Sequence, residues 1–359
     1  MATMIKPADI HCSVNTSYDQ LKGVFSEFEH TPLHSHCSLL NTWYKHYWQK
    51  DWQLICYVFY HHQQLVCIAP FYLKIDDQLP FVKTLHLIGQ GEPEQTEAAL
   101  EYLDIYITHG YENIMNSLIL EKINSLNFDQ FIIKAVFENS CIAKLAAQFN
   151  GTLTKQQYAQ YKVNNTLWQF SQLSKNTRSR INRCKNQLER LGATFRWLNS
   201  NEYNKTWELL KKYHQSRWQN KGKTGAFYSP DFNSFHRTLR ENSSDMIAMS
   251  AVFINKQPIA INYYLVTQNT YHFYQSGWDE LNYSQLSPGL FLHYWSLSNC
   301  PKKYYDFMMG GLNNSYKAKF QADERAMLAI KVVRSPIKLF ISKVLKKITN
   351  LFFSRFINK

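Results

Sequence analysis

The sequence predicts a mixed α/β fold, of the α+β kind, in two domains of similar size. The chain has 359 residues, which is more than one hydrophobic core usually organises. Strand and helix patterns follow one another in a similar order in the two halves, and Asn150-Gly151 breaks the chain between them. A hydrophobic content of 45% with 19% charged residues fits a folded globular protein.

The first domain is predicted to span residues 1–160. Its elements are, in order, a helix at 38–49, a β-hairpin with strands at 52–60 and 64–75, a helix at 111–127, a strand at 128–137 and a short helix at 140–149. The helices follow from apolar residues at helical spacing. The hairpin follows from two apolar runs on either side of a short polar turn.

The second domain is predicted to span residues 161–334. Its elements are, in order, a helix at 178–192, a strand at 193–199, a helix at 201–218, three strands at 246–255, 257–266 and 270–278, a helix at 289–299, and strands at 303–309 and 326–334. Gly192 is a natural stop for the first of these helices. Tight polar turns separate the three consecutive strands.

Residues 335–359 predict a separate basic amphipathic helix. Ser335 suits the N-cap, and Pro336 suits the first helical position. Apolar residues then recur on one stripe, at Ile337, Ile341, Val344, Ile348 and Leu351. Such a stripe has two interpretations. It lies in the plane of an anionic membrane surface, or it packs against the protein or another subunit.

The positive charge of the chain is concentrated at two places. The formal net charge is +13, and residues 331–359 contain eight basic residues and no acidic one. Five further basic residues lie between Lys175 and Lys185. Both clusters predict anionic partners. For the second cluster the alternatives are RNA phosphates or an ordinary solvated helix face.

The cysteines and the N-terminus predict a cytoplasmic protein. Seven cysteines are scattered without a C-x-x-C pair, which is typical of reduced thiols. The first residues lack the apolar stretch of a signal peptide, and no run of about 18 apolar residues predicts a membrane span. The basic tail also suggests peripheral attachment at the inner face of the membrane.

One candidate ligand site follows the strand at 270–278. This strand ends in Ser276-Gly277-Trp278-Asp279, a loop contains Tyr283, and Ser287-Pro288-Gly289 opens a helix. The N-terminus of a helix attracts phosphate, and glycine lets a ligand approach the backbone. The alternative is an ordinary capped helix with proline at its first position.

A second candidate site follows the strand at 303–309. Gly310 and Gly311 interrupt the apolar run, and Tyr316 and Lys317 come shortly after a polar turn. A connection that only joins two elements needs no lysine beside an aromatic residue. This pattern therefore indicates the rim of an active site.

These motifs together resemble the GNAT-type acyltransferase module of the FemAB-like and CelD-type families. The resemblance rests on "SGWD", the loop with Tyr283, "SPG", "YYDFMMGG" and "YK" in that order. "YHQSRWQNKGKTGAF" and "SRINRCKNQLERLG" add to it further upstream. It extends from about Ser174 to Val333 and is architectural only in the first half. It implies tandem GNAT-like domains, with the catalytic cleft mainly in the second domain.

The resemblance also implies an activity, an N-acyltransferase that uses acyl-CoA, with acetyl-CoA as the simplest donor. The acceptor is expected to be a small-molecule amine, on a sugar, a peptide or a cell-envelope or polysaccharide precursor. Acyl transfer passes through a tetrahedral oxyanion and needs proton donors and acceptors. The expected catalytic residues are Lys317, Tyr316, Tyr283 and Asp279, the donor-binding residues Ser287, Pro288, Gly289 and Gly277, and the acceptor-binding residues Arg217, Trp218, Asp306 and Gly310.

Several of these residues have ordinary structural alternatives. Asp306 could be a turn or cap carboxylate, and Arg217 could stack on Trp218 at a helix end. Two other functions stay open, an aminoacyl-tRNA-dependent ligase and a non-catalytic, membrane-docked scaffold for polysaccharide assembly. The first is disfavoured because the second half shows one helix where those relatives carry a helical hairpin.

No metal is predicted. His30, His34, His36 and Cys37 lie close together in the sequence, but their spacing matches no standard zinc pattern. A solvated loop is the favoured interpretation of this cluster.

Overall fold

The computed structural model describes residues 6–27, 36–220, 222, 224–312 and 316–357, with side chains described up to residue 349. The chain forms two compact units. The first unit comprises Met1–Pro93, Ala98–Gln157 and Met327–Lys359, and the second comprises Glu94–Glu97 and Tyr158–Ala326. The chain therefore returns to the first unit at Met327, before the boundary at 334 that the sequence suggests.

The first unit is an α/β arrangement around a mostly antiparallel sheet. Its elements are β1 (Ile10–Asn15), α1 (Tyr18–Ser26), α2 (Cys37–Tyr47), β2 (Gln53–His61), β3 (Gln64–Ile75), β4 (Lys83–Leu87), β5 (Tyr106–Ile107), α3 (Glu112–Ser125), β6 (Gln130–Phe137), α4 (Cys141–Ala146) and the start of β7 (Thr152–Asn164). The strand order is β1-β2-β3-β4-β6, followed by β13 (Asp323–Val333). Only β4 and β6 pair in parallel among these neighbours.

The second unit contains the other elements. They are α5 (Lys175–Arg190), β8 (Thr194–Trp197), α6 (Tyr203–Gln219), α7 (Pro230–Asn242), β9 (Ile247–Ile254), β10 (Gln257–Val266), β11 (Thr270–Trp278), α8 (Glu280–Tyr283), α9 (Pro288–Ser298), β12 (Tyr304–Gly310) and a short 3-10 helix at Tyr316–Phe320. The strand order is β7-β12-β11-β10-β9-β8. Only β11 and β12 are parallel in this set, because α9 provides the crossover between them.

The core of the second unit lies between its sheet and the helices α5 and α9. Ile181 and Leu188 of α5 pack in one hydrophobic cluster with Phe291 and Leu292 of α9 and with Phe307 of β12. Side chains at helical spacing on α5 point into this cluster, and its charged residues lie on the other side. The core therefore fixes α9, and with it the end of β11 and the start of β12.

The tail forms the predicted helix, α10 (Pro336–Ile357). It follows β13, which pairs antiparallel with β6 of the first unit. Within the described residues no helix is long and apolar enough to cross a bilayer. The fold class predicted from the sequence is confirmed, with strands and helices in both units.

Candidate active site

The parallel strands β11 and β12 separate soon after they pair. They pair at only three positions, of which His272↔Asp306 is the last. Strand β11 continues to Trp278 and β12 to Gly310. Within the described residues, no further strand pairing joins the two backbone edges beyond His272↔Asp306.

Asp306 stands at this point of separation and is fully buried. Its carboxylate accepts hydrogen bonds from Gln160 Nε2 at 2.7 Å, from His272 Nδ1 at 3.1 Å and from the Met308 amide at 2.7 Å. Burial raises the pKa of the Asp306 carboxyl, but these donors outweigh it, and the pKa is lowered on balance. The carboxylate joins β7, β11 and β12, while its predicted contact with an amine acceptor stays a prediction.

A β-bulge follows directly in β12. Its pairing with β7 shifts between Asp306 and Met309, and Met308 has a φ of 61°. Lys317 Nζ donates to the carbonyl oxygens of Phe307 at 2.6 Å and Met309 at 2.5 Å, with that of Met308 at 3.4 Å. The lysine thus satisfies carbonyls at an irregular place in the strand. Its predicted role toward an oxyanion stays a prediction.

Four other side chains lie near this lysine or near its neighbour Tyr316. The His293 ring, on α9, lies 5.6 Å from the Tyr316 ring, and its Nδ1 is 3.0 Å from the hydroxyl of Tyr305. Burial, and secondly the charge of Lys317, lower the pKa of His293 to about 3, so the imidazole is neutral. Burial raises the pKa of the Tyr316 phenol, which the nearby Arg217 guanidinium only partly offsets. Arg217 of α6 therefore lies near Tyr316, which precedes Lys317 in the chain.

A buried chain of polar side chains continues from His293 into the core. Tyr305 Oη lies 3.2 Å from Tyr264 Oη, which is 3.2 Å from Ser250 Oγ and accepts from Asn262 Nδ2 at 3.0 Å. Ser250 Oγ in turn lies 2.7 Å from Ser296 Oγ on α9. Such a connected network holds α9 in one position against the sheet.

The predicted donor-binding residues lie around the end of β11. Ser287 has left-handed backbone angles, and Pro288 is the first residue of α9. A side chain on Gly289 would face the Trp278 ring at 3.4 Å, whereas one on Gly277 would lie 2.8 Å from the Leu210 carbonyl of α6. Gly277 thus permits close packing of α6 on β11. Its role in donor binding, like that of the other three residues, stays a prediction.

Asp279 and Tyr283 form a second group. Asp279 caps α8, since its carboxylate accepts from the Asn282 amide at 3.1 Å and from Asn282 Nδ2 at 2.8 Å. Burial, followed by the charges of Asp279 and Tyr283, raises the pKa of Tyr213 to about 12. These three side chains are therefore neighbours at the same end of β11.

The remaining predicted residues lie on α6 and at the end of β12. Trp218 Nε1 donates to His214 Nε2 at 2.8 Å, and Arg217 is exposed. Burial and the Arg217 charge lower the pKa of His214 to about 4. Gly310 is the last residue of β12, and residues 313–315 of the loop beyond it lie outside the described part of the chain.

The family comparison agrees with this geometry. Residues 175–318 match the model of the acetyltransferase (GNAT) domain. This part of the chain resembles a GNAT acetyltransferase domain. The match confirms the resemblance found in the sequence and the expectation of an acyltransferase enzyme, and it supports acyl transfer in general. GNAT domains generally use acetyl-CoA.

Solved structures show that the likeness of the fold extends beyond the GNAT domain. FemX superposes with a TM-score of 0.56 at 10% identity, over 92% of this chain and 100% of that one. A conserved protein of unknown function from Bacteroides thetaiotaomicron gives 0.53 at 12% identity, over 90% and 100%. The C-terminal domain of a putative lysylphosphatidylglycerol synthetase from Agrobacterium fabrum gives 0.52 at 10%, over 90% and 95%. No curated protein matches the chain significantly.

Sequence reasoning missed three residues around the candidate site, Gln160, His272 and His293. His272 and His293 lie inside apolar runs. A histidine is unusual there, and this is the sequence feature that could have identified them. Gln160 had no such feature because its partner Asp306 is far away in the sequence. Among the described residues no group of three or more His, Cys, Asp or Glu side chains could hold a metal ion. His30 and His34 lie outside those residues.

Proposed function

We propose that the second unit transfers an acyl group from acyl-CoA to an amine. The observation that supports this most is the separation of β11 and β12 next to Lys317, within the stretch that matches the GNAT domain. Amide groups of an extended donor can pair with the strand edges that the separation frees. The phosphates of the donor then lie at the N-terminus of α9, where the helix dipole favours negative charge.

The proposed chemistry assigns a role to each group near the bulge. Attack of the amine on the thioester carbon forms a tetrahedral oxyanion, which the Lys317 ammonium stabilises. The C–S bond then breaks, CoA leaves as the thiol with the Tyr316 proton, and the proton that the amine nitrogen gives up restores Tyr316. The Tyr316 phenol carries its proton at neutral pH, as an ordinary tyrosine does, so its hydroxyl can donate to the departing sulfur. Asp279 and Tyr283, at the end of β11, orient the amine, together with Arg217 and Trp218.

The proposed acceptor is an amine on a sugar, a peptide or a cell-envelope precursor. A cell-envelope acceptor is included because of the names of two structures with a similar fold, FemX and the putative lysylphosphatidylglycerol synthetase. At 10% identity these similarities concern the fold only, so the identity of the acceptor is a proposal.

Donor binding is the direct test. Thermal unfolding is measured with acetyl-CoA, with longer acyl-CoAs and with free CoA. A donor at 100 times its dissociation constant should stabilise the protein by about 2.7 kcal/mol. No stabilisation by any acyl-CoA would contradict the proposal, and it would favour the non-catalytic scaffold if tRNA does not bind either.

A second candidate is the aminoacyl-tRNA-dependent ligase, which one face of α5 favours. Lys175, Arg178, Arg183 and Arg190 line a shallow groove of about 600 Å³ together with Asn182, Asn186 and other polar side chains. Such a basic groove suits a phosphate backbone. Salt-sensitive binding of tRNA without any response to acyl-CoA would favour this candidate over the first.

A further inference from the structure

The outer face of α10 exposes an apolar surface. Ile337 is 75% exposed, Phe340 67% and Ile341 52%, and the neighbouring apolar residues Val344, Leu345 and Ile348 are exposed as well. The stripe residues from Ile337 to Ile348 therefore keep a large part of their side chains exposed. Contiguous exposed apolar side chains of this size mark an interaction site.

The opposite face of α10 holds the helix on the first unit. Leu339 is 4% exposed, and Ser342 Oγ donates to the Pro80 carbonyl at 2.8 Å. Lys338 Nζ donates to Asp129 Oδ2 at 2.6 Å. The helix is thus fixed by one face, and this attachment keeps the apolar face directed outward.

Phe81 extends the same apolar surface from another segment. A groove of about 440 Å³ runs between Pro80, Phe81 and the residues from Arg334 to Leu345. Phe81 has a φ of 69°, a left-handed conformation that is strained for a phenylalanine, and yet the residue is 67% exposed. Packing within the described residues does not account for a strained and exposed aromatic side chain.

We propose that the outer face of α10, together with Phe81, docks in the plane of an anionic phospholipid bilayer. At about 100° per residue, Lys343 and Lys347 stand at one edge of the apolar face. No acidic residue occurs between 331 and 359. Apolar side chains flanked by lysines match the boundary between acyl chains and negative headgroups.

Charge decides between this occupant and a second copy of the chain. Two copies meeting through α10 would bring their uncompensated lysines together, and like charges repel. An anionic lipid surface attracts the same lysines. The proposal does not depend on the acyltransferase activity, because it uses residues of the first unit only.

The test is co-sedimentation of the full chain with vesicles. One set contains phosphatidylcholine with phosphatidylserine, and the other phosphatidylcholine alone. We expect binding to the first set only, and weaker binding in 1 M salt, where the screening length falls from about 10 Å to about 3 Å. Binding to neither set, or equal binding to both, would overturn the proposal.

Two pairs of variants locate the surface. Ile337→Ser with Phe340→Ser should lower the partition onto anionic vesicles at least tenfold, whereas Leu167→Ser with Leu281→Ser, at similarly exposed positions, should not. Lys343→Glu with Lys347→Glu should lower it equally strongly. The matched control is Lys50→Glu with Lys155→Glu, which makes the same charge change at exposed positions elsewhere.

The variants also give the outcomes that would refute the surface. An equal loss of vesicle binding in a test pair and in its control pair would mean that α10 is not the docking surface. A dimer that sedimentation shows for the parent and that Ile337→Ser with Phe340→Ser abolishes, without vesicle binding, would make a second copy the occupant. Unfolding temperature and the acetyl-CoA response, measured on each variant, separate a folding defect and a failure of the proposed function from a failure of docking.

Discussion

The two units solve the same backbone problem in different ways. Each has a parallel strand pair with a left-handed residue soon after it, Ala135 in β6 (φ 53°) and Met308 in β12 (φ 61°). In both strands the pairing with the antiparallel neighbour also shifts nearby. Carbonyls at such an irregular place need donors from elsewhere in the chain.

In the first unit, the connection between β4 and α3 supplies the donors. Gln90 Nε2 donates to the Lys134 carbonyl and to that of Leu100, each at 2.7 Å, and Gln90 Oε1 accepts from the Lys134 amide at 2.9 Å. The Tyr102 amide donates to the Ala135 carbonyl at 2.8 Å. The space beside β6 is therefore occupied by buried chain.

In the second unit, the connection between β11 and α9 is shorter, and a single lysine serves the corresponding carbonyls. The Lys317 side chain can leave these carbonyls at a cost of about 1–2 kcal/mol, whereas a buried backbone segment moves only if it unfolds locally. The difference teaches why a donor site is expected beside β12 and not beside β6. Each of the following experiments tests that difference.

The largest effect is expected from Lys317→Met. Turnover should fall on the order of a hundredfold or more, because one donor to the oxyanion is lost. The protein should also lose about 1–2 kcal/mol of stability, since the bulge carbonyls lose their donor. Steady-state kinetics and urea unfolding measure the two effects.

Lys319→Met is the internal control, because Lys319 is exposed on the same short helix. It should be nearly silent in both measurements. If Lys317→Met lowers stability and keeps full turnover, the lysine only stabilises the bulge, and its proposed catalytic role is wrong.

The counterpart in the first unit is Gln90→Ala. We expect a loss of about 2 kcal/mol of stability, because buried carbonyls of Lys134 and Leu100 lose their partner. Turnover per folded molecule should stay the same. A fall in turnover at a temperature where the variant is fully folded would show that the first unit takes part in the chemistry.

Gly289→Val tests the donor site at the start of α9. Its new side chain would begin 3.4 Å from the Trp278 ring, an ordinary contact, so stability should change little. Donor affinity should fall about tenfold, which corresponds to about 1.4 kcal/mol. Calorimetric titration with acetyl-CoA measures this, and unchanged affinity would place the phosphates elsewhere.

The last comparison concerns acid stability, and it is between His86 and His293. Burial lowers the pKa of each to about 3, with Lys74 adding to the effect at His86 and Lys317 at His293. Each unfolded histidine binds a proton below about pH 6.5. The unfolded state therefore binds more protons between about pH 6.5 and 3, and stability falls as the pH drops through this window.

Replacing either histidine by glutamine should flatten this fall, by at most about 1.4 kcal/mol per pH unit. Urea unfolding at several pH values measures the slope. Only the His293 titration should respond to Lys317→Met, which should raise its pKa. The pKa of each histidine is measured by NMR titration. An equal rise in the pKa of His86 would contradict the assignment of Lys317 to the site of the second unit.

Local sequence patterns predicted most elements of the second half. The β9 to β11 strands, α9 and α10 follow from apolar periodicity and from serine-proline starts, which depend only on neighbouring residues. The alternatives for Asp306 and for the α10 stripe could not be separated in this way. Strand β7 was not predicted, because its first half is polar and exposed.

The sequence by itself determined the alternation of strands and helices, the glycine break before Tyr316 and the placing of positive charge. Only the tertiary structure decided that Asp306 meets Gln160, 146 residues away, and that Lys317 reaches three carbonyls of β12. It also decided which face of α10 turns outward. Periodicity fixes an element because it acts over a few residues, whereas the partner of a buried charge or apolar face is set by which distant segments exclude water together.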